Sequence, residues 1–142
     1  MSDPAFRFAV LSVLFLLVAV AGRALSRYFN AAEFPKRFDL GDAGIKAAGP
    51  AVVEFTAPWC LECKEALPTL EAASRQHDAT LAVIDAKDNP GVAAKYKIRT
   101  TPTILVIDRR GIVTSAWNST PAPGELASAL QAAGAPRPQP VG

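Results

Sequence analysis

The chain has 142 residues, a formal net charge of +2, two cysteines and one histidine, and half of its residues are hydrophobic. This length predicts a single domain, and so small a charge gives no reason to expect a nucleic-acid partner. A closed zinc site needs about four ligands, which the cysteines and the histidine do not supply by themselves.

Residues 8–22 form an uncharged apolar stretch that Arg7 and Arg23 bracket. As a helix this stretch spans about 22 Å, less than the ~30 Å hydrocarbon core of a membrane, but flanking arginines can snorkel and lengthen the span. A cleaved signal peptide is the competing interpretation, with apolar region Phe8–Val18 and the small residues 19–21 as its cleavage site. We favour an uncleaved anchor within residues 1–27, and the removal of residues 1–21 stays open.

The side of the membrane on which the rest of the chain lies is also open, because two arguments conflict. Basic residues are more numerous after the apolar stretch than before it: Arg23, Arg27, Lys36 and Arg37 against Arg7. The positive-inside rule therefore favours a cytoplasmic domain. The signal-like arrangement of the N-terminus slightly favours an extracytoplasmic domain.

The remaining elements follow in chain order. Residues 28–38 have no clear periodicity, and we interpret them as a tether with a short edge strand near its end. Residues 39–134 show alternating patterns that predict strands over 51–56, 81–85 (buried), 103–107 and 112–117, and helices over 40–48 (weak), 60–76, 92–96 and 126–133. Asp108–Gly111 predicts a hairpin turn between the last two strands. This order predicts an α/β fold with a central mixed β-sheet flanked by helices, and the proline-rich residues 135–142 predict a disordered tail.

Cys60 and Cys63 are the chain's two cysteines, and they lie directly after Trp59 at the start of a predicted helix. The partial positive charge of a helix N-terminus stabilises thiolate at the first sulfur, which we expect to be exposed, with the second sulfur one turn below it. This arrangement favours thiol–disulfide exchange. A structural disulfide or half of a metal site is the alternative interpretation.

Four sequence features together are more specific than the cysteine spacing. They are VVEFTAPWCLECK at residues 52–64, Pro68 within the following helix, DNPGVAAKYKIRTTPT at residues 88–103, and RRG in the hairpin turn. Over roughly residues 38–134 the chain resembles the thioredoxin family. The resemblance implies a thioredoxin-like fold and a protein-disulfide oxidoreductase that needs no cofactor and no metal. The apolar stretch adds an N-terminal hydrophobic anchor helix before this fold. It also implies two kinds of partner, namely client proteins with disulfides and an upstream electron donor.

The resemblance assigns catalytic roles to Cys60, Cys63 and Glu54. Cys60 is the attacking thiol and Cys63 the resolving one. Glu54 corresponds to the family's buried acid, which is usually an aspartate, and would exchange a proton with Cys63. Many relatives place a lysine opposite that acid on the next strand, where this chain has Val83.

The resemblance also implies a client-binding surface. Thr101-Pro102 corresponds to the family's cis peptide bond, with the backbone of Thr101 opposite the sulfurs and able to pair with an extended client. Trp59 would flank the disulfide as a flat apolar contact, or else pack inside the fold.

One departure from the family bears on the direction of electron flow. Leu61-Glu62 replaces the usual Gly-Pro between the cysteines. The negative charge of Glu62 disfavours a very low thiolate pKa, so we expect a reductant rather than a strong oxidant.

The alternative function is a membrane-tethered module that binds clients or handles copper without turnover. The histidine, His77, lies past the end of the cysteine-bearing helix. The sequence does not specify the client, the electron donor or the redox potential.

Overall fold

The computed structural model describes residues 3–29, 34–46 and 49–134, with side chains in the first range only as far as residue 24. The chain divides into two compact units, Met1–Glu33 and Phe34–Gly142. Residues 34–38, which the sequence analysis assigns to a tether, therefore group with the second unit. The predicted tail at 135–142 and residues 30–33 of the predicted tether lie outside the described residues.

The first unit contains one long helix, α1, which runs from Pro4 to Phe29. Its segment Pro4–Ala24 has a mean hydropathy of 2.3, and none of that segment is buried. By length and composition α1 is able to cross a membrane, a property that membrane anchors and N-terminal signal sequences share.

The second unit is built on a four-stranded sheet with the order β2-β1-β3-β4. Its strands are β1 (Ala51–Thr56), β2 (Thr80–Asp85), β3 (Thr103–Ile107) and β4 (Val113–Trp117), and its helices are α2 (Leu61–Gln76), α3 (Pro90–Lys95) and α4 (Pro123–Gly134). Strand β1 pairs parallel with β2 and antiparallel with β3, which in turn pairs antiparallel with β4. The predicted mixed sheet flanked by helices is confirmed.

Strand β1 is covered on both faces, which is why its sequence is almost continuously apolar. Val52 packs in a cluster with Leu70 of α2 and Leu130 of α4. Phe55 packs on the opposite face with Tyr96, which follows α3. The middle of the sheet therefore has no face toward solvent at β1, and any side chain there is buried.

Strand β2 is an edge strand, which corrects the expectation of a buried strand at residues 81–85. Among the described residues it pairs with β1 on one side only. Val83 is consequently 47% exposed, whereas Ile84 on the other face is buried. The apolar composition of this strand is equally compatible with a central strand and with an edge strand that has one face covered.

Residues 37 and 38 pack against the domain. Phe38 is buried, and its ring centroid lies 4.3 Å from that of Tyr96 in a stacked arrangement. The backbone N–H of Phe38 donates to the carbonyl of Gly111 at 2.9 Å, and Arg37 forms an isolated bridge with Ile112. The short edge strand expected near the end of the tether is thus a single bridge beside a buried aromatic ring.

All four predicted helices differ from their predicted bounds: α3, expected at 92–96, runs from Pro90 to Lys95, and the other three differ for local reasons. The weak helix expected at 40–48 is a 3₁₀ turn over Leu40–Ala43, closed by Gly44 at φ 69°, a conformation that glycine adopts readily. Helix α2 begins at Leu61 because Cys60 is its N-cap. Helix α4 begins at Pro123, since proline suits the first turn of a helix.

Candidate active site

Cys60 and Cys63 are joined by a disulfide bond, with their Cα atoms 5.3 Å apart. Cys60 has extended backbone angles as the N-cap of α2, and its Sγ accepts the N–H of Cys63 at 3.2 Å. The first sulfur therefore sits where the unpaired N–H groups of the helix point. This position favours a negatively charged sulfur once the bond is reduced.

The two cysteines differ less in exposure than the sequence predicts. Cys60 is 8% exposed and Cys63 is 2% exposed, so the order is as expected but both residues are buried in this oxidised form. The reason is local, because the side chain of Cys60 folds back over the helix end to cap it and to bond Cys63. Only a narrow part of Cys60 reaches solvent.

Two large apolar side chains stand in solvent on either side of Cys60. Trp59 is 74% exposed and Leu61 is 68% exposed. Trp59 belongs to none of the buried clusters, so the packing role considered for it is not seen. Apolar surface beside the disulfide is therefore open to contact with another molecule.

The Thr101-Pro102 peptide bond is cis, as the resemblance implies. Pro102 is buried, and Thr101 is half-buried. Strand β3 begins at the next residue, Thr103, which pairs with Phe55 near the carboxyl end of β1. Since α2 follows β1, both Pro102 and Cys60 lie at this end of the sheet.

Glu54 is only 1% exposed in the middle of β1, with Ile104 and Val83 as its neighbours on the two adjacent strands. Burial raises the pKa of its carboxyl group from 4.5 to about 7. Within the described part of the chain, Oε1 of Glu54 has no hydrogen-bond partner. Its neighbour on β2, Val83, is uncharged and supplies no cation that would lower this pKa.

Glu54 lies on the face of the sheet that α2 covers, because it alternates with Val53 and shares the orientation of Val52. Along β1, Glu54 is about 7 Å beyond Val52 toward the end where α2 begins. Along α2, Cys63 lies about 10 Å nearer than Leu70 to that same end of the sheet. The buried carboxyl and the buried sulfur therefore lie at the same end of this layer.

Two separate sets of hydrogen bonds that the sequence analysis missed connect three segments around the disulfide. Oε1 of Glu62 accepts the backbone N–H of Thr120 at 3.1 Å. Oγ1 of Thr103 lies 2.7 Å from the carbonyl oxygen of Thr100 and 3.2 Å from Oδ1 of Asn118. In the sequence these are ordinary polar residues, and nothing in their spacing indicates the contacts.

The copper- or zinc-handling alternative would require further ligands near the sulfurs. His77 is the C-cap of α2, at the end of the helix opposite to Cys60. Across residues 3–29, 34–46 and 49–134, no three side chains of His, Cys, Asp or Glu are grouped so that they could hold a metal ion.

Comparisons with known proteins agree with this geometry. The thioredoxin family model matches residues 37–132. Thioredoxin of Porphyra purpurea is 37% identical over 59 residues, which cover 40% of this chain and 55% of that protein. Mitochondrial thioredoxin of Rattus norvegicus is 33% identical over 93 residues, which cover 64% of this chain and 54% of that protein. The chain thus spans about half the length of the curated relatives that it matches.

Solved structures show the same fold at lower identity. A mutant thioredoxin from Halobacterium salinarum NRC-1 superposes with a TM-score of 0.61 at 24% identity, covering 70% of this chain and 86% of that one. A structure described as that of a malarial protein superposes with a TM-score of 0.54 at 17% identity, covering 59% of this chain and 96% of that one. With the family model matching well over half of its residues, the chain belongs to the thioredoxin family.

Proposed function

We propose that this chain is a thiol–disulfide oxidoreductase that exchanges its Cys60–Cys63 pair with the disulfides of client proteins. The observation that carries the proposal is the disulfide itself, placed at the N-terminus of α2 with Cys60 as the capping residue. A purely structural disulfide has no need of a helix end that stabilises thiolate, or of exposed apolar side chains around it.

The reaction uses the two sulfurs in sequence. In the reduced protein, the Cys60 thiolate attacks a client disulfide, and one client sulfur leaves as a thiol after taking up a proton. Cys63 then gives up its proton and attacks the Cys60 sulfur of the mixed disulfide, which releases the second client thiol. Two electrons pass to the client, and a donor dithiol must restore the reduced pair.

Glu54 is our candidate for the group that takes the proton from Cys63. Its pKa of about 7 lets the carboxyl group both accept and release a proton near neutral pH. It lies in the layer that α2 covers, at the end where Cys63 is buried. The side chain is longer than the family's usual aspartate, and a water molecule is able to bridge the remaining distance.

The client would lie across the surface formed by Trp59, Thr101 and Pro102. Trp59 offers an exposed aromatic face next to Cys60. Thr101 and Pro102 lie at the same end of the sheet, just before β3. An extended client strand that pairs with the Thr101 backbone would pass over the sulfurs.

We further propose that the pair works as a reductant. Glu62 places a carboxylate in the first turn of α2, next to Cys63. A negative charge there opposes the stabilisation of thiolate by the helix end, so the reduced form is favoured less than in strongly oxidising relatives.

The last part of the proposal is that α1 anchors the protein in a membrane as a single uncleaved span. Its apolar segment Pro4–Ala24 is long enough to cross the hydrocarbon core. The compartment of the domain decides which donors and clients are available, and a topology reporter fused after Gly142 identifies that compartment.

We expect Cys63→Ser to accumulate mixed disulfides with clients, because nothing then resolves the bond that Cys60 forms. Cys60→Ser should accumulate none, since the attacking thiol is missing. Non-reducing gels of the full-length chain, isolated from cells after acid quenching, make the measurement. The opposite trapping pattern would reverse the two roles.

An insulin-reduction assay on the full-length wild-type chain in detergent, with dithiothreitol as the donor, completes this test. Turnover that Cys60→Ser abolishes supports the oxidoreductase. A wild-type chain that binds oxidised insulin and does not reduce it is instead a client-binding module.

The raised pKa of Glu54 predicts a stability that falls as the pH rises. Below pH 4.5 the carboxyl group is neutral in both folded and unfolded chains, whereas above about pH 7 it is charged in both. The folded state binds the proton more tightly between these values, so the free energy of unfolding should decrease across this window by about 3 kcal/mol. Glu54→Gln should remove this loss, leaving the variant more stable than the wild type at pH 8 but not at pH 4.

Urea unfolding at several pH values measures this difference, with Glu71→Gln on the exposed surface of α2 as the control. Glu54→Gln should also slow the Cys63-dependent release of client about ten-fold or more near pH 7, because the proton acceptor is lost. An unchanged stability profile together with an unchanged pH–rate profile would remove Glu54 from the mechanism.

The redox potential tests the direction of electron flow. A glutathione titration of the Cys60–Cys63 pair should give a midpoint nearer to about −270 mV than to about −120 mV. Glu62→Gln should raise the midpoint, because the reduced form then loses a nearby negative charge. A wild-type midpoint above about −170 mV would contradict the proposed reductant.

Membrane anchoring predicts that the protein resists extraction with alkaline carbonate and keeps its full mass of 15.0 kDa. Replacing Leu14 and Leu17 with lysine should release the protein from the membrane fraction, because each charge at the middle of a span is costly. A shorter chain recovered in the soluble fraction would show that residues near position 21 are a cleavage site.

A further inference from the structure

Glu62 lies between the two cysteines, and its carboxylate does more than add charge to the start of α2. Oε1 accepts the backbone N–H of Thr120 at 3.1 Å, across 58 residues of sequence. Thr120 belongs to the segment between β4 and α4, residues 118–122. The contact therefore ties that segment directly to the redox-active turn.

The same segment is attached at its other end. Oδ1 of Asn118 lies 3.2 Å from Oγ1 of Thr103, the residue that follows Pro102. Oγ1 of Thr103 also lies 2.7 Å from the carbonyl oxygen of Thr100, so its one hydroxyl proton is shared between the two acceptor oxygens. Two side-chain contacts thus fix residues 118–120 between the start of α2 and the start of β3.

This segment is part of the surface around the disulfide. Asn118 and Ser119 are exposed, as are Trp59 and Leu61 next to Cys60. A folded or extended protein client that reaches Cys60 must lie on several of these side chains at once. A small-molecule disulfide only has to reach the sulfur of Cys60, because it has no further surface that could contact residues 118–122.

We propose that Glu62 is a positioning residue for protein clients, because its carboxylate holds the Thr120 amide and so fixes residues 118–122 beside the disulfide. The inference rests on the proposed oxidoreductase activity and deepens it. It gives Glu62 two separable effects. The charge acts on the thiols and is felt by every substrate, whereas the hydrogen bond acts on the neighbouring segment and is felt by protein clients alone.

Two substitutions separate these effects. Glu62→Gln removes the charge and keeps an oxygen that can accept the Thr120 N–H. Glu62→Ala removes both the charge and the acceptor. Glu65→Ala is the matched control, because Glu65 is an exposed glutamate of the same helix.

The test compares insulin with hydroxyethyl disulfide as substrates of the full-length chain in detergent, with dithiothreitol as the donor. Relative to Glu62→Gln, Glu62→Ala should raise the KM for insulin about five-fold, the loss expected when one hydrogen bond no longer holds the segment. The rates with hydroxyethyl disulfide should be equal in these two variants, because both lack the charge. Glu65→Ala should match the wild type with both substrates.

Amide hydrogen exchange of Thr120 supplies a structural measurement that does not depend on turnover. The amide should exchange about five-fold faster in Glu62→Ala than in the wild type, and Glu62→Gln should restore most of the protection. Equal insulin KM values in Glu62→Ala and Glu62→Gln would overturn the positioning role and leave the oxidoreductase in place. A wild-type chain that reduces neither substrate would overturn the oxidoreductase, and the positioning role with it.

Discussion

The burial of β1 on both faces is the constraint on which the rest of the domain depends. Its side chains from Ala51 to Phe55 are almost fully buried between α2 and α4 on one side and the Phe38–Tyr96 cluster on the other. Because β2 is parallel to β1, the chain has to return along one face of the sheet between them, and here it does so as α2, which begins just after the carboxyl end of β1. The first turn of α2, with its two cysteines, is placed by this requirement.

The same burial explains why a carboxyl group within β1 is unusual. A side chain in this strand cannot turn to solvent, so Glu54 has to be either neutral or charged inside the core. Its raised pKa means that the charged form is disfavoured by burial with no cation on the neighbouring strand to offset it. A buried carboxyl group with a raised pKa, at the end of the sheet where the two cysteines lie, is a candidate for function rather than for packing.

The sequence predicts the centre of this fold better than its edges. Strands β1 and β3 have the bounds expected from their apolar runs, because a strand covered on both faces carries a continuous signal. Strand β2 has a similar composition but lies at an edge, and composition alone does not reveal how many neighbours a strand has. The sequence places Phe38 in the tether because one aromatic residue has no period, and the contact that buries it comes from Tyr96, far along the chain. The sequence does not predict the hydrogen bond between Glu62 and Thr120 for the same reason, since 58 residues separate its partners.

Two carboxyl groups at the end of the sheet where α2 begins therefore differ in their surroundings. Glu54 is enclosed by the sheet and α2, where the low dielectric makes its protonation state sensitive to burial. Glu62 is exposed, so water and salt screen its charge. Its hydrogen bond to the Thr120 amide is therefore the more specific of its interactions. A buried carboxyl group suits proton exchange with a buried sulfur, and an exposed one suits the holding of a neighbouring backbone. The two carboxyl groups thus lie at different depths, and the roles we propose follow that difference: proton exchange for Glu54, and for Glu62 a charge at the helix start together with a hydrogen bond to the Thr120 amide.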